Sequence, residues 1–437
     1  MRFRLLVVAL GLAAQTAWGA TLGDIYRQAR DNDPQYASAR AANQAGHEKE
    51  PQARAGLLPS LVFSAFLRNN NVEYNKSLFG ATSFNYTAPG LTLALTQPLY
   101  RKQNREFYSQ GQLQTRLADE QLLAAEEDLL LRSAKAYFDV LQAQDVLSFA
   151  RAQKAALAEQ LAQAKKSFEV GAATITDTHE AQARSDLTVA QEIAAINDLD
   201  VKRGALERLI GRQAPSLARL DEKVTMPLPA PNNLQDWIQR AEADGVPVQA
   251  ARTGLEIARH EVGRQRGGHL PTLDLAANYN DIRNQSISGT TGLETRTGVI
   301  GLEFNWPLYQ GGVVDSRVRE AVANQEKARF DLDNARRQAV LDARQGFLGV
   351  VSGGAQVKAL EQALASTRLQ LSSTELGLEV GVRTRVDVLN AEQQIYSTLR
   401  DLSAARYQTL VAMLQLKAAV GSLAEADIKA IDALLKE

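Results

Sequence analysis

Two long stretches of this chain contain no proline, and they occupy matching places in two copies of one unit. All twelve prolines fall outside residues 101–214 and 310–437. Both stretches are rich in Ala, Leu, Gln, Glu and Arg, which favour helix. The copies show in short motifs. Gly171-Ala-Ala-Thr-Ile-Thr-Asp177 returns as Gly381-Val-Arg-Thr-Arg-Val-Asp387, each after Glu-Val. Leu58-Pro59-Ser60-Leu61 returns as Leu270-Pro271-Thr272-Leu273, and Pro98-Leu99-Tyr100 as Pro307-Leu308-Tyr309. The opening helix, with Leu22 and Asp33-Pro34, is echoed by Leu234 and Val246-Pro247. A single offset of about 210 residues is one duplication rather than an array of short repeats. The seam is the segment Pro215–Pro231, an extended linker marked by Pro227, Pro229 and Pro231.

Within the first window a seven-residue spacing runs through Leu122, Leu129, Ala136, Ala143, Ala150, Leu157 and Ala164. A second row, Val140, Leu147, Leu161 and Phe168, is offset by four and interrupted at Lys154. Together they form a heptad seam whose alanines let helices approach closely. The spacing predicts one helix over about Gln103–Phe168, on the order of 100 Å at 1.5 Å per residue. Gly171 and Gly381 suit left-handed C-terminal caps. Thr174 and Thr384, each with Asp at +3, suit N-terminal capping boxes. Each half is therefore expected to make a helix hairpin, with tips at 170–177 and 380–387.

Four short segments alternate with period two instead. They are about 60–70, 89–99, 271–283 and 297–307; Ile300, Leu302, Phe304 and Trp306 against Val299, Gly301, Glu303 and Asn305 is the clearest case. The segment from Leu61 to Arg68 alternates less cleanly. Such segments read as two-faced strands, near the 9–11 residues that a tilted strand needs to cross a bilayer. A half-buried sheet of a soluble protein gives the same alternation. Secretion, long polar loops at 68–90 and 281–297, and rods too long for a globule favour the membrane.

Composition removes other classes. With 49 basic and 50 acidic residues, the formal net charge of −1 gives no cationic surface for a nucleic-acid partner. There is no cysteine, which excludes disulfides, thiolate metal sites, a cysteine nucleophile and a cysteine-linked lipid anchor. The four histidines, His47, His179, His260 and His269, show no metal-ligand spacing. No nucleophile–base pair or phosphate loop stands out, so no enzyme, cofactor or metal is expected. Residues 1–19 have a basic start, an apolar centre and a small-residue end, the make-up of a secretory signal peptide. Cleavage after Gly19 puts Ala17 at −3, whereas cleavage after Ala20 would put Trp18 there. The expected organisation is therefore a signal peptide (1–19), a first repeat (20–225) and a second repeat (226–437).

Four strands cannot close a barrel, and an open edge in lipid leaves unpaired backbone groups at several kcal/mol each. Because membrane barrels have at least eight strands, a membrane reading requires several chains to share one barrel. Three chains would give twelve strands and four would give sixteen, and the pattern does not choose between them. Small and polar residues would face the bore and apolar ones the lipid. A periplasmic coiled-coil adaptor or a structural coiled-coil protein without a pore are the alternatives.

The motifs Ile25-Tyr26-Arg27-Gln28-Ala29-Arg30 with Asn32-Asp33-Pro34, Ala136-Tyr137-Phe138-Asp139-Val140-Leu141, His269-Leu270-Pro271-Thr272-Leu273-Asp274-Leu275 and Pro307-Leu308-Tyr309-Gln310-Gly311-Gly312, with Val380–Leu389, resemble those of the TolC family of outer-membrane efflux and secretion channels. The resemblance covers the chain from about Thr21 to near its end. It implies a mainly α fold with a membrane β component, in which three chains share a twelve-stranded β-barrel, four strands each. The barrel continues into a long α-helical barrel with a mixed α/β equatorial belt, built here from the N-terminal helix, the Pro215–Val246 region and the C-terminal residues. It implies a passive exit duct of tripartite efflux and type I secretion systems in the outer membrane of a Gram-negative bacterium. The implied partners are two further copies, outer-membrane lipid, a periplasmic adaptor, and an inner-membrane ABC or RND-type transporter.

The resemblance also places the tunnel entrance at the tips. It puts Asp387 in an acidic ring, with Asn390 where the family has a second aspartate, so weaker cation block is expected. The residue pattern alone also allows Asp387 a plain capping role. Arg383, Thr176 and Asp177 match members of the network that closes the entrance, in which Leu378 replaces a tyrosine. Val170, Gly171, Val380 and Gly381 would be the adaptor-docking tips.

Overall fold

The computed structural model describes residues 19–74, 82–221, 224–284 and 293–436. The signal-peptide reading therefore lies, Gly19 apart, outside the described residues. The first repeat runs α1 (Leu22–Asn32), α2 (Pro34–His47), α3 (Lys49–Ala55), β1 (Ser60–Tyr74), β2 (Thr82–Tyr100), α4 (Lys102–Glu169), α5 (Ile175–Ile210) and β3 (Arg219–Leu220). The second runs α6 (Leu234–Asp244), α7 (Val246–Arg266), β4 (Thr272–Asn284), β5 (Leu293–Asn305), α8 (Val313–Glu379), α9 (Arg385–Ala419), α10 (Glu425–Asp432) and β6 (Leu435–Lys436). The order of strands, long helix and shorter helix is thus repeated. Among the described residues, no helix is long and apolar enough to cross a membrane.

The chain forms two units. One comprises residues 41–122 and 247–335 and holds the main sheet, antiparallel throughout, in the order β1-β2-β4-β5. The register separates the two faces. Leu61, Phe63, Ala65 and Leu67 pair with Leu95, Leu93, Leu91 and Pro89. Leu95 and Leu93 pair in turn with Ala277 and Tyr279, and Leu273, Leu275 and Ala277 with Phe304, Leu302 and Ile300. Paired residues share a face, so one face is apolar along these rows, with Gln97 beside Leu275 and the Leu91 row running on to Asp281 and Arg296. The other carries Ser64, Thr92, Asn280 and Thr297 across one row and Ala94, Asn278 and Val299 across another; there Thr92 Oγ1 donates to Asn280 Oδ1 at 2.9 Å.

Phe66 explains the uneven alternation of β1. It sits on the polar face opposite Gly90, where a Cβ would come within 2.4 Å of its ring. Only glycine leaves the space that this ring fills, and the Arg68 guanidinium lies 4.1 Å from the ring centroid. The strands also extend beyond the segments read from sequence. Residues 71–74 and 82–88 are strand, as are 284 and 293–296, in place of much of the expected polar loops. The ladder runs on through Asn69↔Thr87 and Asn71↔Asn85, and the alternation of Phe84, Tyr86 and Ala88 with Ser83, Asn85 and Thr87 is the signal that the polar-loop reading passed over. At its base, Arg101 Nε and Nη2 donate to Asp274 Oδ1 and Oδ2 at 2.8 and 2.5 Å, a bidentate lock between β4 and the residue after β2.

The other unit comprises residues 1–40, 123–246 and 336–437. Here chain start, linker and chain end meet. Ala20 bridges Leu217, and β3 pairs with β6. Tyr137 Oη donates to the carbonyls of Ala218 and Ala20 at 2.7 and 3.2 Å. Leu22, Ile25, Tyr26 and Ala29 of α1 are fully or nearly fully buried, each large apolar side chain contributing about 1.5–3 kcal/mol. Asp33 accepts from the Tyr36 backbone N–H at 3.1 Å and from Arg132 Nη2 at 2.8 Å. Burial alone would raise its pKa, but these donors outweigh it and hold the carboxyl below the usual range. The α4 seam is buried at Leu129, Val140, Ala143, Leu147, Ala150, Leu157 and Ala164, while Lys154 reaches Glu192 at 2.7 Å.

Candidate functional site at the helix-hairpin tips

The tips are built by local sequence. Gly171 and Gly381 have φ of +75° and +78°, a left-handed conformation open to glycine at little cost. Each ends its helix with a paired closure: Ala172 N–H donates to Ser167 O and Val382 N–H to Gly377 O, both at 2.8 Å. Thr174 and Thr384 then restart the chain as α5 and α9, each in a reciprocal capping box with the aspartate three residues on. Asp387 Oδ2 accepts from the Thr384 backbone N–H and hydroxyl, both at 2.9 Å. These two donors, backbone first, hold its carboxyl below the usual carboxylate range, with a smaller contribution from Arg383.

The expected entrance residues occupy the following places. Asp177 accepts from the Thr174 backbone N–H at 3.0 Å and hydroxyl at 2.8 Å, and Thr176 is exposed in the same first turn. Leu378 is half-buried, and its carbonyl accepts from Gly381 N–H at 3.1 Å. Arg383 is exposed at its head, but its stem lies over Gly377, where a Cβ would meet Arg383 Cγ at 2.7 Å. The residues named as adaptor-docking tips are accessible: Val170 is 79 % and Val380 65 % exposed, and nothing lies within 4 Å of a Cβ at Gly171 or Gly381.

Sequence reasoning missed Arg184. Its Nη2 donates to Asn390 Oδ1 at 2.9 Å and to Glu180 Oε1 at 3.1 Å, and its Nη1 to Gln393 Oε1 at 3.2 Å. One guanidinium thus ties α5 to α9. The i,i+4 spacing of Glu180 and Arg184 was available as a signal, but the reach to Asn390 depends on tertiary placement. Among the described residues no cluster of acidic or histidine side chains could hold a metal ion.

The chain matches the outer membrane efflux protein family over residues 25–212 and 237–422. It is 36 % identical to Outer membrane protein TolC of Vibrio cholerae serotype O1, with 98 % of this chain and 97 % of that one aligned. It is 32 % identical to Outer membrane protein TolC of Escherichia coli K12 over 99 % and 90 %. Alkaline protease secretion protein AprF of Pseudomonas aeruginosa is 33 % identical over 97 % and 89 %. In fold, it is similar to the outer membrane protein VceC of Vibrio cholerae, with a TM-score of 0.78 at 18 % identity over 92 % of this chain and 99 % of that one. A membrane protein from Pseudomonas aeruginosa gives a TM-score of 0.81 at 18 % identity, over 92 % and 91 %.

Proposed function

The chain belongs to the outer membrane efflux protein family, and from that premise we propose that it works as a trimeric exit duct whose hairpin tips form the periplasmic entrance. Proteins of this family are outer-membrane channels for efflux and secretion rather than enzymes, and this chain is one of them.

One observation carries the reading of a barrel shared between copies. The main sheet has an apolar face with Phe63, Leu67, Ile300 and Phe304 each more than 60 % exposed, and among the described residues its outer strands β1 and β5 have no further strand beside them in the order β1-β2-β4-β5. Lipid satisfies the apolar face but not the backbone groups of the two edges, each of which costs several kcal/mol if left unpaired. A neighbouring copy offers the complementary edge; any number of copies closes an even barrel, and the resemblance to the TolC family sets that number at three, for twelve strands. The small and polar face then lines the bore.

Transport through such a duct makes and breaks no covalent bond. The driving force comes from an inner-membrane ABC or RND-type transporter, coupled through a periplasmic adaptor that contacts Val170, Gly171, Val380 and Gly381. Asp387, repeated once per chain around the axis, raises local cation concentration and favours cation entry. Arg383, Thr176 and Asp177 close the entrance through links to neighbouring hairpins, and Leu378 contributes packing at the position where the family has a tyrosine.

The test is the mass of the full-length protein extracted from outer membranes in mild detergent, with conductance in planar bilayers. Three chains per particle and a small resting conductance are expected. A monodisperse monomer in detergent-free buffer overturns the reading.

A further inference from the structure

Five residues beyond Asp387, α9 buries a carboxyl group that lacks the donors an ion needs. Glu392 is only 8 % exposed. The side-chain amide of Gln160, on α4, is hydrogen-bonded to its carboxyl group. Yet Glu392 Oε2 and Gln160 Oε1 are both buried without a hydrogen-bond partner. With Glu392 ionised, the pair holds three acceptor oxygens and a single donor group, the amide nitrogen. Turning the amide over exchanges its oxygen and nitrogen but leaves that imbalance in place. One proton removes it. The carboxyl O–H donates to the amide oxygen, the amide N–H donates to the other carboxyl oxygen, and both orphan atoms are satisfied together.

We propose that Glu392 is held as a neutral carboxylic acid paired with the Gln160 amide, and that this proton ties the first hairpin to the second just above the tips, so that losing it loosens the closed entrance. The gating half rests on the reading of the tips as the entrance; the protonated pair does not.

The surrounding charges agree. Burial raises the Glu392 pKa first and the Glu375 carboxylate on α8 raises it further, against the Gln160 hydrogen bond, which lowers it. Tyr396, the next turn of α9, brings no cation, and its own phenol is raised by burial and by Glu392. On α4, Glu159 beside Gln160 is exposed. On α5, Arg184 is bonded to Glu180, Asn390 and Gln393. A carboxyl raised in the folded state contributes stability that is complete below the ordinary glutamate value and is lost as pH rises through the raised value. Asp387 stays ionised across that window, because its carboxyl is held low. The capping box therefore does not add to the pH dependence.

The experiment is hydrogen exchange of tip amides in the full-length detergent-solubilised protein, as protection factors, at about pH 5 and about pH 8, run beside single-channel conductance. Wild-type protection should fall as pH rises, about tenfold for each unit by which the folded pKa exceeds the ordinary one. Glu392→Gln, a permanent mimic of the neutral acid, should keep the high protection at both pH values. Gln160→Ala should give low protection at both. Wild-type protection that ignores pH, combined with faster exchange in Glu392→Gln, would mean an ionised structural acceptor and overturn the proposal. If protection follows the expected pattern while conductance stays flat, the protonated pair stands and the entrance reading fails.

Discussion

At the first tip, Thr174 and Asp177 close a capping box behind Gly171. At the second, Thr384 and Asp387 do so behind Gly381, and the three hydrogen bonds of the two boxes agree to within 0.1 Å. Their side chains have parted company. Ala173 of the first tip corresponds to Arg383 of the second, Ile175 to Arg385, and Glu180 to Asn390, all at the offset of 210. Ser167 corresponds to Gly377, the residue whose bareness admits the Arg383 stem. A local backbone device has stayed the same in both copies while charge has been redistributed between them. Capping alone asks for none of these differences.

The largest test of that asymmetry is Arg383→Ser beside Ala173→Ser. A charge-assisted hydrogen bond is worth about 1.5–3 kcal/mol, so if Arg383 closes the entrance as proposed, losing its link should raise resting conductance tenfold or more. The first-tip control should leave conductance unchanged. Equal conductance in both variants would reduce Arg383 to a solvated surface charge. Next comes Asp387→Ala beside Asp177→Ala. Both lose the same capping box, but only the former should weaken divalent-cation block of single channels, by about tenfold. Equal block would make capping the whole role of Asp387. A smaller effect should be symmetrical: Thr174→Ala and Thr384→Ala each remove an N-cap worth about 1 kcal/mol, about a fivefold loss of amide protection in the first turns of α5 and α9. A clear difference between those two would break the claim that the tips share one backbone device.

What could be read in advance follows the range of each interaction. The long helix was expected over Gln103–Phe168 and runs Lys102–Glu169, because proline absence and a heptad seam are properties of the helix itself. Both tips were legible for the same reason, since glycine and Thr-x-x-Asp act within a few residues. The two faces of the sheet followed from alternation, except where Phe66 fills the space above Gly90, a fact belonging to a pair of strands. Strand ends were misread because asparagines such as Asn69, Asn70, Asn71 and Asn85 look like loop, although Phe84, Tyr86 and Ala88 still alternate with Ser83, Asn85 and Thr87. The links of Arg184 to Asn390, 206 residues apart, and of Gln160 to Glu392 were out of reach. Each side chain looks like an ordinary helix-surface group until two hairpins are set side by side.

The smallest expected effect probes that long-range link. In the proposed entrance, Asn390 stands where a second aspartate would add a second acidic ring, so a strong increase in cation block is the simple expectation for Asn390→Asp. Arg184 argues otherwise. Its guanidinium already lies 2.9 Å from Asn390 Oδ1 and is shared with Glu180, the residue that stands at the matching place in the first copy. An aspartate there would enter an ion pair within its own chain, and the charge presented to the axis would be largely cancelled. Asn390→Asp alone should therefore change divalent block by less than about twofold. Adding Arg184→Ala should release the new carboxylate and strengthen block well beyond either single change, a non-additivity readable in a double-mutant cycle. If Asn390→Asp by itself gives the full increase, Arg184 does not neutralise that position, and the two tips differ in charge for a reason other than this clamp.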